Sequence, residues 1–255
     1  MLPSLHLQGR LALVTGSSRG LGWAMAQGLA EAGARVLLHG RDRAALTQRT
    51  GELAARGTAA AGMLCFDVTD GAATVAALQQ SAAEHGPLGI LINNAGVIVR
   101  RPVTETTDED WNRVIDADLS ACFRLSREAI RQMQPAGWGR IIMISSIMGR
   151  VARPTVPGYV TAKHALVGLV RALAVEFATS GITVNAIGPG YFPTEANQSL
   201  QEDKSFHDWI ATRTPVGRWG RPEELQGAAV FLASEAASYV TGQILMVDGG
   251  LTAAL

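Results

Sequence analysis

The sequence predicts an α/β fold built on a doubly wound parallel sheet of about seven strands flanked by helices. Two observations predict it. Short, continuously apolar runs alternate with longer amphipathic ones along the whole chain, and strands without polar alternation belong in a parallel sheet covered on both faces. A glycine-rich turn, TGSSRGLG, follows the first of those runs, where a strand should pass into a helix. With 255 residues, 47% of them hydrophobic, the chain can bury a full core and is expected to form a single domain over 1–255.

The expected strands are LALVT (11–15), RVLLHG (35–40), GMLCF (62–66), GILINNA (89–95), RIIMIS (140–145), ITVNAI (182–187) and QILMVD (243–248). Amphipathic patterns between them predict helices near 20–32, 43–56, 71–85, 108–134, 157–180 and 222–234. Thr107 or Asp108 suits a helix start, and Gly33 and Gly181 fall just past helix ends. Such alternation implies right-handed crossovers and a ligand lying beyond the carboxyl ends of the strands. The segment 188–221 interrupts the alternation. At that edge it reads as a substrate lid or as a packed surface excursion.

Composition narrows the partners. Twenty-two basic residues balance 22 acidic ones, so no overall field draws the chain to nucleic acid or to an anionic membrane, and a small molecule is the expected ligand. No apolar run reaches about 18 residues, and the N-terminus lacks the basic-then-apolar signal pattern. A cytoplasmic location is expected, in keeping with Cys65 and Cys122, which are far apart and form no CxxC or CxxH spacing. The five histidines are scattered, with no HxxxH pair, so no metal is expected.

The glycine turn has the form of a phosphate cradle. Gly16, Gly20 and Gly22 allow a sharp turn, close approach of backbone to a pyrophosphate and tight packing of helix on strand, with free N–H groups at the helix start. Where NAD-binding chains place an acid at the end of the second strand, this one reads LLHGRD, with Gly40 and Arg41. Arg19 lies inside the turn itself. Two guanidiniums there favour a ribose 2′-phosphate, hence NADP, with NAD still possible because Asp42 follows.

Tyr159 and Lys163 stand four residues apart in YVTAK, one of three tyrosines and one of two lysines in the chain. On a helix that spacing puts both side chains on one face. Hydride reduction of a ketone leaves negative charge on its oxygen, which calls for hydrogen-bond donors and a proton source. A phenol ordinarily ionises near a pH of about 10, and a cation beside it favours the phenolate.

Taken in order, Thr15-Gly16-Ser17-Ser18-Arg19-Gly20-Leu21-Gly22, Asn93-Asn94-Ala95-Gly96, Ser146, Tyr159-xxx-Lys163 and Pro189-Gly190 resemble the short-chain dehydrogenase/reductases, whose fold is Rossmann-like. The resemblance runs through essentially the whole chain. It implies that Asp67 and Val68 contact adenine, that the turn Asn94, Ala95 and Gly96 lines the cofactor, and that Thr194 bonds the nicotinamide carboxamide beyond Pro189 and Gly190. Ser18, Leu21 and Phe192 are counted with these cofactor contacts. Ser145 and Ser146 are rivals by sequence alone, since alternation turns only one toward the site; the family pattern selects Ser146 as second donor to the substrate oxygen. Lys163 also holds the nicotinamide ribose, and a homotetramer is implied.

The chain departs from the family at Asp118, where Asn is usual. An ionised Asp keeps acceptors but loses the amide donors, so one hydrogen bond of the usual set fails or is replaced, or the carboxylate pairs with Lys163 instead. A tolerated variant, a slower enzyme and a chain no longer catalytic are the three readings of it. Within the family, NNAGVIVRRP, the stretch from GPGYFPTE to RPEEL and MVDGG are most similar to gluconate 5-dehydrogenases, which implies a sugar-acid substrate. Arg100 and Arg153 are then placed for its carboxylate. IDADLSACFRLS is similar to 3-oxoacyl-carrier-protein reductases, for which Arg124, Arg127 and Arg131 would offer a basic docking face. A third reading is a cofactor-sensing regulator whose chemistry Asp118 damps.

Overall fold

The computed structural model describes residues 2–58 and 60–254. Seven strands, β1 (Leu11–Val14), β2 (Arg35–Gly40), β3 (Ala60–Cys65), β4 (Ile90–Asn93), β5 (Gly139–Ile144), β6 (Ile182–Pro189) and β7 (Ile244–Val247), form one sheet in the order β3-β2-β1-β4-β5-β6-β7. Every neighbouring pair is parallel. All seven expected strands are present, so the doubly wound sheet is the fold.

Apolar continuity is what makes these strands central. β1, β4, β5 and β6 are buried along their whole length, and alternation sorts their side chains into two cores. Val14, Leu38 and Ile92 point to one, packed with Met25, Leu29 and Leu232 from helices α1 (Gly20–Glu31) and α9 (Gln226–Ala233). Leu13, Leu37 and Leu91 point to the other, against Leu125, Met133, Leu166 and Val170. A fully buried aliphatic side chain of this kind contributes about 1.5–3 kcal/mol relative to exposure.

Helices α2 (Arg43–Ala55) and α3 (Gly71–His85) begin at Asp42 and Asp70, whose carboxylates accept the first free N–H groups. Thr107 caps α4 (Asp108–Ile115) in a capping box with Asp110. The continuous helix expected over 108–134 is divided in the structure. A five-residue π-helical turn, Asp116–Ser120, separates α4 from α5 (Ala121–Met133). No Gly or Pro marks it in the sequence; the driving force is the buried pairing of Asp118 described below.

α6 (Pro157–Phe177) starts with Pro at a position that needs no N–H donor, and the chain leaves it through Gly181 at φ 71°. Just before α6, Thr155 adopts φ 69°, the one non-Gly residue with positive φ among those described. For a β-branched residue that conformation costs on the order of 1–3 kcal/mol. Arg101 N–H holds it by donating to the Thr155 carbonyl at 2.7 Å. The interrupting segment 188–221 contains two short helices that the sequence pattern did not mark, α7 (Gln198–Glu202) and α8 (Lys204–Arg213). Among the described residues no helix is long and apolar enough to cross a membrane.

Candidate active site

β1 and β4 are neighbours although three strands apart in sequence, and the gap between their following loops opens a groove at the carboxyl edge. Thr15 ties the two loops together: its Oγ1 accepts from Asn94 N at 2.9 Å and Ala95 N at 3.0 Å, while Asn94 Nδ2 donates to the Thr15 carbonyl at 2.9 Å. Gly16 and Gly20 take φ 64° and 55°. A Cβ on Gly22 would collide with the Gly16 carbonyl and lie 2.5 Å from Asn94 Nδ2, so close packing demands glycine there.

The groove comprises two connected cavities that share Arg19, Asn94, Gly96 and Glu195. The larger, about 1390 Å³, is lined by Gly16, Ser18, Arg19, Arg41, Asp67, Val68 and Ala95. The smaller, about 520 Å³, collects Leu21, Gly22, Pro189, Gly190, Phe192 and Thr194 with Ser146, Tyr159, Lys163, Asp118, Arg100 and Arg153. Every residue assigned from the sequence to catalysis, cofactor or substrate therefore lines one groove, whereas Arg124, Arg127 and Arg131 lie outside it. Their surroundings differ: Val68 and Phe192 are almost wholly buried, with Val68 in a sheet core and the Phe192 ring against Gly220.

Arg41 is exposed and pairs with Asp67 at 3.3 Å; Arg19 reaches Glu195 at 2.5 Å. Hydrogen bonds from Thr69 N–H first, then burial in opposition, then Thr69 Oγ1 and Arg41, leave the Asp67 carboxyl below its usual range. Asp42, the residue that kept NAD open, has Oδ1 engaged by Ala44 N and Ala45 N at the start of α2.

One residue of the cradle was not singled out from sequence. His39, at the buried end of β2, accepts from Gly16 N at 3.1 Å through Nδ1 and gives its own N–H to Ser17 Oγ at 2.8 Å. Since Nδ1 accepts, the ring proton sits on Nε2, which faces the Phe66 backbone without a hydrogen bond of good geometry. Burial lowers the imidazole pKa to about 4, against smaller upward pulls from the Phe66 backbone and Asp67.

At the other end, Ser145 and Ser146 separate as alternation requires. Ser145 Oγ is buried and donates to the Lys163 carbonyl at 3.1 Å. Ser146 is half-buried, and its Oγ accepts from Met148 N at 3.1 Å at the start of a short 3₁₀ turn. Tyr159 and Lys163 share one face of α6, with Nζ 5.2 Å from the phenol ring centre. Lys163 Nζ donates to the Ile144 carbonyl at 3.0 Å and lies 3.0 Å from Asp118 Oδ2.

Asp118 is 0% exposed. Its Oδ1 accepts from Val97 N at 2.7 Å, while Oδ2 meets the ammonium as an ion pair outside hydrogen-bond geometry. An amide held by the same Val97 bond would turn its NH₂ toward Lys163, donor against donor, so the carboxylate is what permits direct contact. A Cβ at Gly96 would sit 2.9 Å from Oδ2, which keeps that position glycine. Burial opposes charge on Lys163, but Asp118 and then Tyr159 outweigh it and hold the ammonium above its ordinary range. The Cys122 thiol, also buried here, is pushed up to about 12, chiefly by burial.

On α5, Arg124 pairs with Asp116 at 2.5 Å, and Arg127 and Arg131 share Glu128 at 2.9 and 2.8 Å. Three guanidiniums meet two carboxylates, so much of the basic character expected of this face is held in local ion pairs. Among the described residues, no group of three or more His, Cys, Asp or Glu could hold a metal ion.

A family model described as enoyl-(acyl carrier protein) reductase matches residues 16–252. The chain is 43% identical over 249 residues to gluconate 5-dehydrogenase of Gluconobacter oxydans, covering 98% of this chain and 97% of that one. It is 38% identical over 247 residues to the 3-oxoacyl-[acyl-carrier-protein] reductase of Escherichia coli, covering 97% and 99%. A crystal structure of a gluconate 5-dehydrogenase from Burkholderia cenocepacia in complex with NADP and tartrate superposes with a TM-score of 0.96 at 41% identity, covering 99% and 98%. Full-length similarity, the seven-stranded sheet and the groove at its switch point together establish that the chain belongs to the short-chain dehydrogenase/reductase family.

Proposed function

We propose that this chain is an NADP-dependent oxidoreductase that interconverts a sugar-acid hydroxyl and its ketone, of the gluconate and 5-ketogluconate type. One observation carries the reading: a single cavity combines Ser146, Tyr159 and Lys163 with the two cations Arg100 and Arg153. The relatives named for gluconate support the substrate class, and the NADP complex among them supports the cofactor.

The groove suits a dinucleotide phosphate. Gly22 lets the start of α1 pack tightly on the glycine turn, Arg19 and Arg41 face the larger cavity, and Asp42 is engaged as a helix cap. NADP, when bound, supplies or accepts the hydride. Tyr159 transfers the proton at the substrate oxygen, and Ser146 Oγ hydrogen-bonds that oxygen as charge develops. Lys163 keeps a positive charge beside the phenol, and Asp118 with the Ile144 carbonyl fixes where that charge sits. Arg100 and Arg153 receive the substrate carboxylate.

The sugar-acid reading is preferred to the 3-oxoacyl one by the higher identity to the relative named for gluconate, 43% against 38%. Residues 188–221 act as the substrate lid in this reading. A homotetramer is supported by large apolar side chains left exposed, among them Trp111, Phe123, Val175 and Tyr239. A cytoplasmic location is supported by the free Cys65 and Cys122.

The test is NADPH oxidation with 5-ketogluconate, an acetoacetyl thioester and a neutral diketone. The sugar acid should be preferred in kcat/KM, and Arg153→Ala should raise its KM by about tenfold while the diketone KM moves less than about twofold. Preference for the thioester would overturn the reading, and so would NADPH binding without oxidation of any carbonyl, the mark of a regulator.

A further inference from the structure

Arg100 and Arg153 lie on loops after β4 and β5, yet each is in contact with the lid. Arg100 Nη2 donates to Asn197 Oδ1 at 3.1 Å, across 97 residues of sequence. Asn197 sits in the turn Glu195–Asn197 that leads into α7, and its Nδ2 donates to the Phe192 carbonyl at 3.2 Å. That second bond fixes the amide, so its oxygen must face the guanidinium. Arg153 stands over the Phe206 ring of α8, 5.1 Å from its centre. Phe206 is in turn wedged edge-on between Tyr191 and Trp219, with ring centres 5.5 and 6.3 Å away.

Asn197 and Phe206 meet the two cations as neutral groups. An amide oxygen or an aromatic face orients a guanidinium and leaves its charge in place, whereas a carboxylate would cancel it. The two cations also act on each other: burial and then the charge of Arg153 lower the Arg100 pKa. A bound anion relieves that repulsion, and a neutral substrate does not.

We propose that Asn197 and Phe206 are specificity-determining positioning residues, which aim Arg100 and Arg153 at a substrate carboxylate and so place the choice of acidic over neutral carbonyl compounds in the lid. The proposal rests on the sugar-acid reading above. It predicts that a closed lid and a complete carboxylate site are one arrangement.

Asn197→Asp is the decisive variant: it keeps the size and the acceptor, sets a negative charge against Arg100, and gives up the donor to the Phe192 carbonyl. KM for 5-ketogluconate should rise by about tenfold or more, with kcat within about threefold and the KM for a neutral diketone within about twofold. Phe206→Leu should raise the sugar-acid KM by about threefold to fivefold, and Phe206→Tyr, which keeps the ring, should restore it. Thermal melting and NADPH titration confirm that each variant is folded, with Kd for NADPH expected within about twofold of wild type. Equal KM changes on charged and neutral substrates, or no change on either, would overturn the inference while leaving the sugar-acid reading intact. A wild-type enzyme that shows no preference for the carboxylate would sink both.

Discussion

At the nucleotide end of the groove the glycine turn is held through its main chain. Thr15, His39 and Asn94 engage backbone groups of the glycine turn and of its neighbours, and Gly22 lets α1 pack closely against it. At the substrate end the walls are side chains meeting across long stretches of sequence, Arg19 with Glu195, Arg100 with Asn197 and Arg153 over Phe206. Backbone recognition needs a turn shape, which many sequences can supply as long as glycine occupies the tight positions. Side-chain recognition needs particular groups, and these can change without disturbing the sheet. One end is thus fixed by fold and the other is free to set the substrate.

Three measurements break or sharpen that contrast. The largest effect is expected at the substrate end: Tyr159→Phe removes the proton source and should lower kcat by about 10²- to 10⁴-fold, with NADPH affinity within about twofold. Steady-state rates beside a fluorescence titration would show it, and near wild-type kcat would remove Tyr159 from the chemistry.

The second falls at the nucleotide end. Burial lowers the His39 pKa from the ordinary 6.5 to about 4, so the unfolded chain takes up the proton first. Stability from the neutral imidazole is present above about pH 6.5 and is lost as pH falls toward 4, on the order of 3 kcal/mol in all at about 1.36 kcal/mol per unit. His39→Asn keeps an acceptor for Gly16 N–H and should flatten that interval in denaturant melts taken from pH 7 to 4. An unchanged slope would show that another group governs it.

The smallest effect is at Arg41, whose side chain is 71% exposed and shared with Asp67. Screening limits such a contact. Arg41→Ala should weaken NADP by about tenfold and leave NAD unaltered; parallel losses would mean that Arg41 does not read the 2′-phosphate.

The same contrast explains what the sequence made legible. Every strand was marked by an apolar run; in β1, β4, β5 and β6, buried along their length, polar side chains such as Asn93, Arg140 and Asn185 enter with hydrogen-bond partners. The glycine turn and the Tyr159–Lys163 spacing were visible because each is local. The break in the helix at 116–120 was not, because Asp118 is drawn inward by Val97 and Lys163, which are remote in sequence. Helices α7 and α8 are short and carry weak periodicity, although Asp203, which accepts from Ser205 N and Phe206 N, is a start signal that could have located α8. His39 lay hidden at the end of an apolar strand, where a lone histidine looks like core. Asn197 and Glu195 offered no signal at all, since their partners lie 97 and 176 residues away.

The wider turn at Asp116–Ser120 sets the phase between the two helical halves. A π turn holds about one residue more than an α turn, and each residue advances a helix by about 100°. Deleting a single residue there would rotate everything upstream about the axis, swinging the Thr107-capped half away from its present neighbours while the downstream half stayed seated on the sheet.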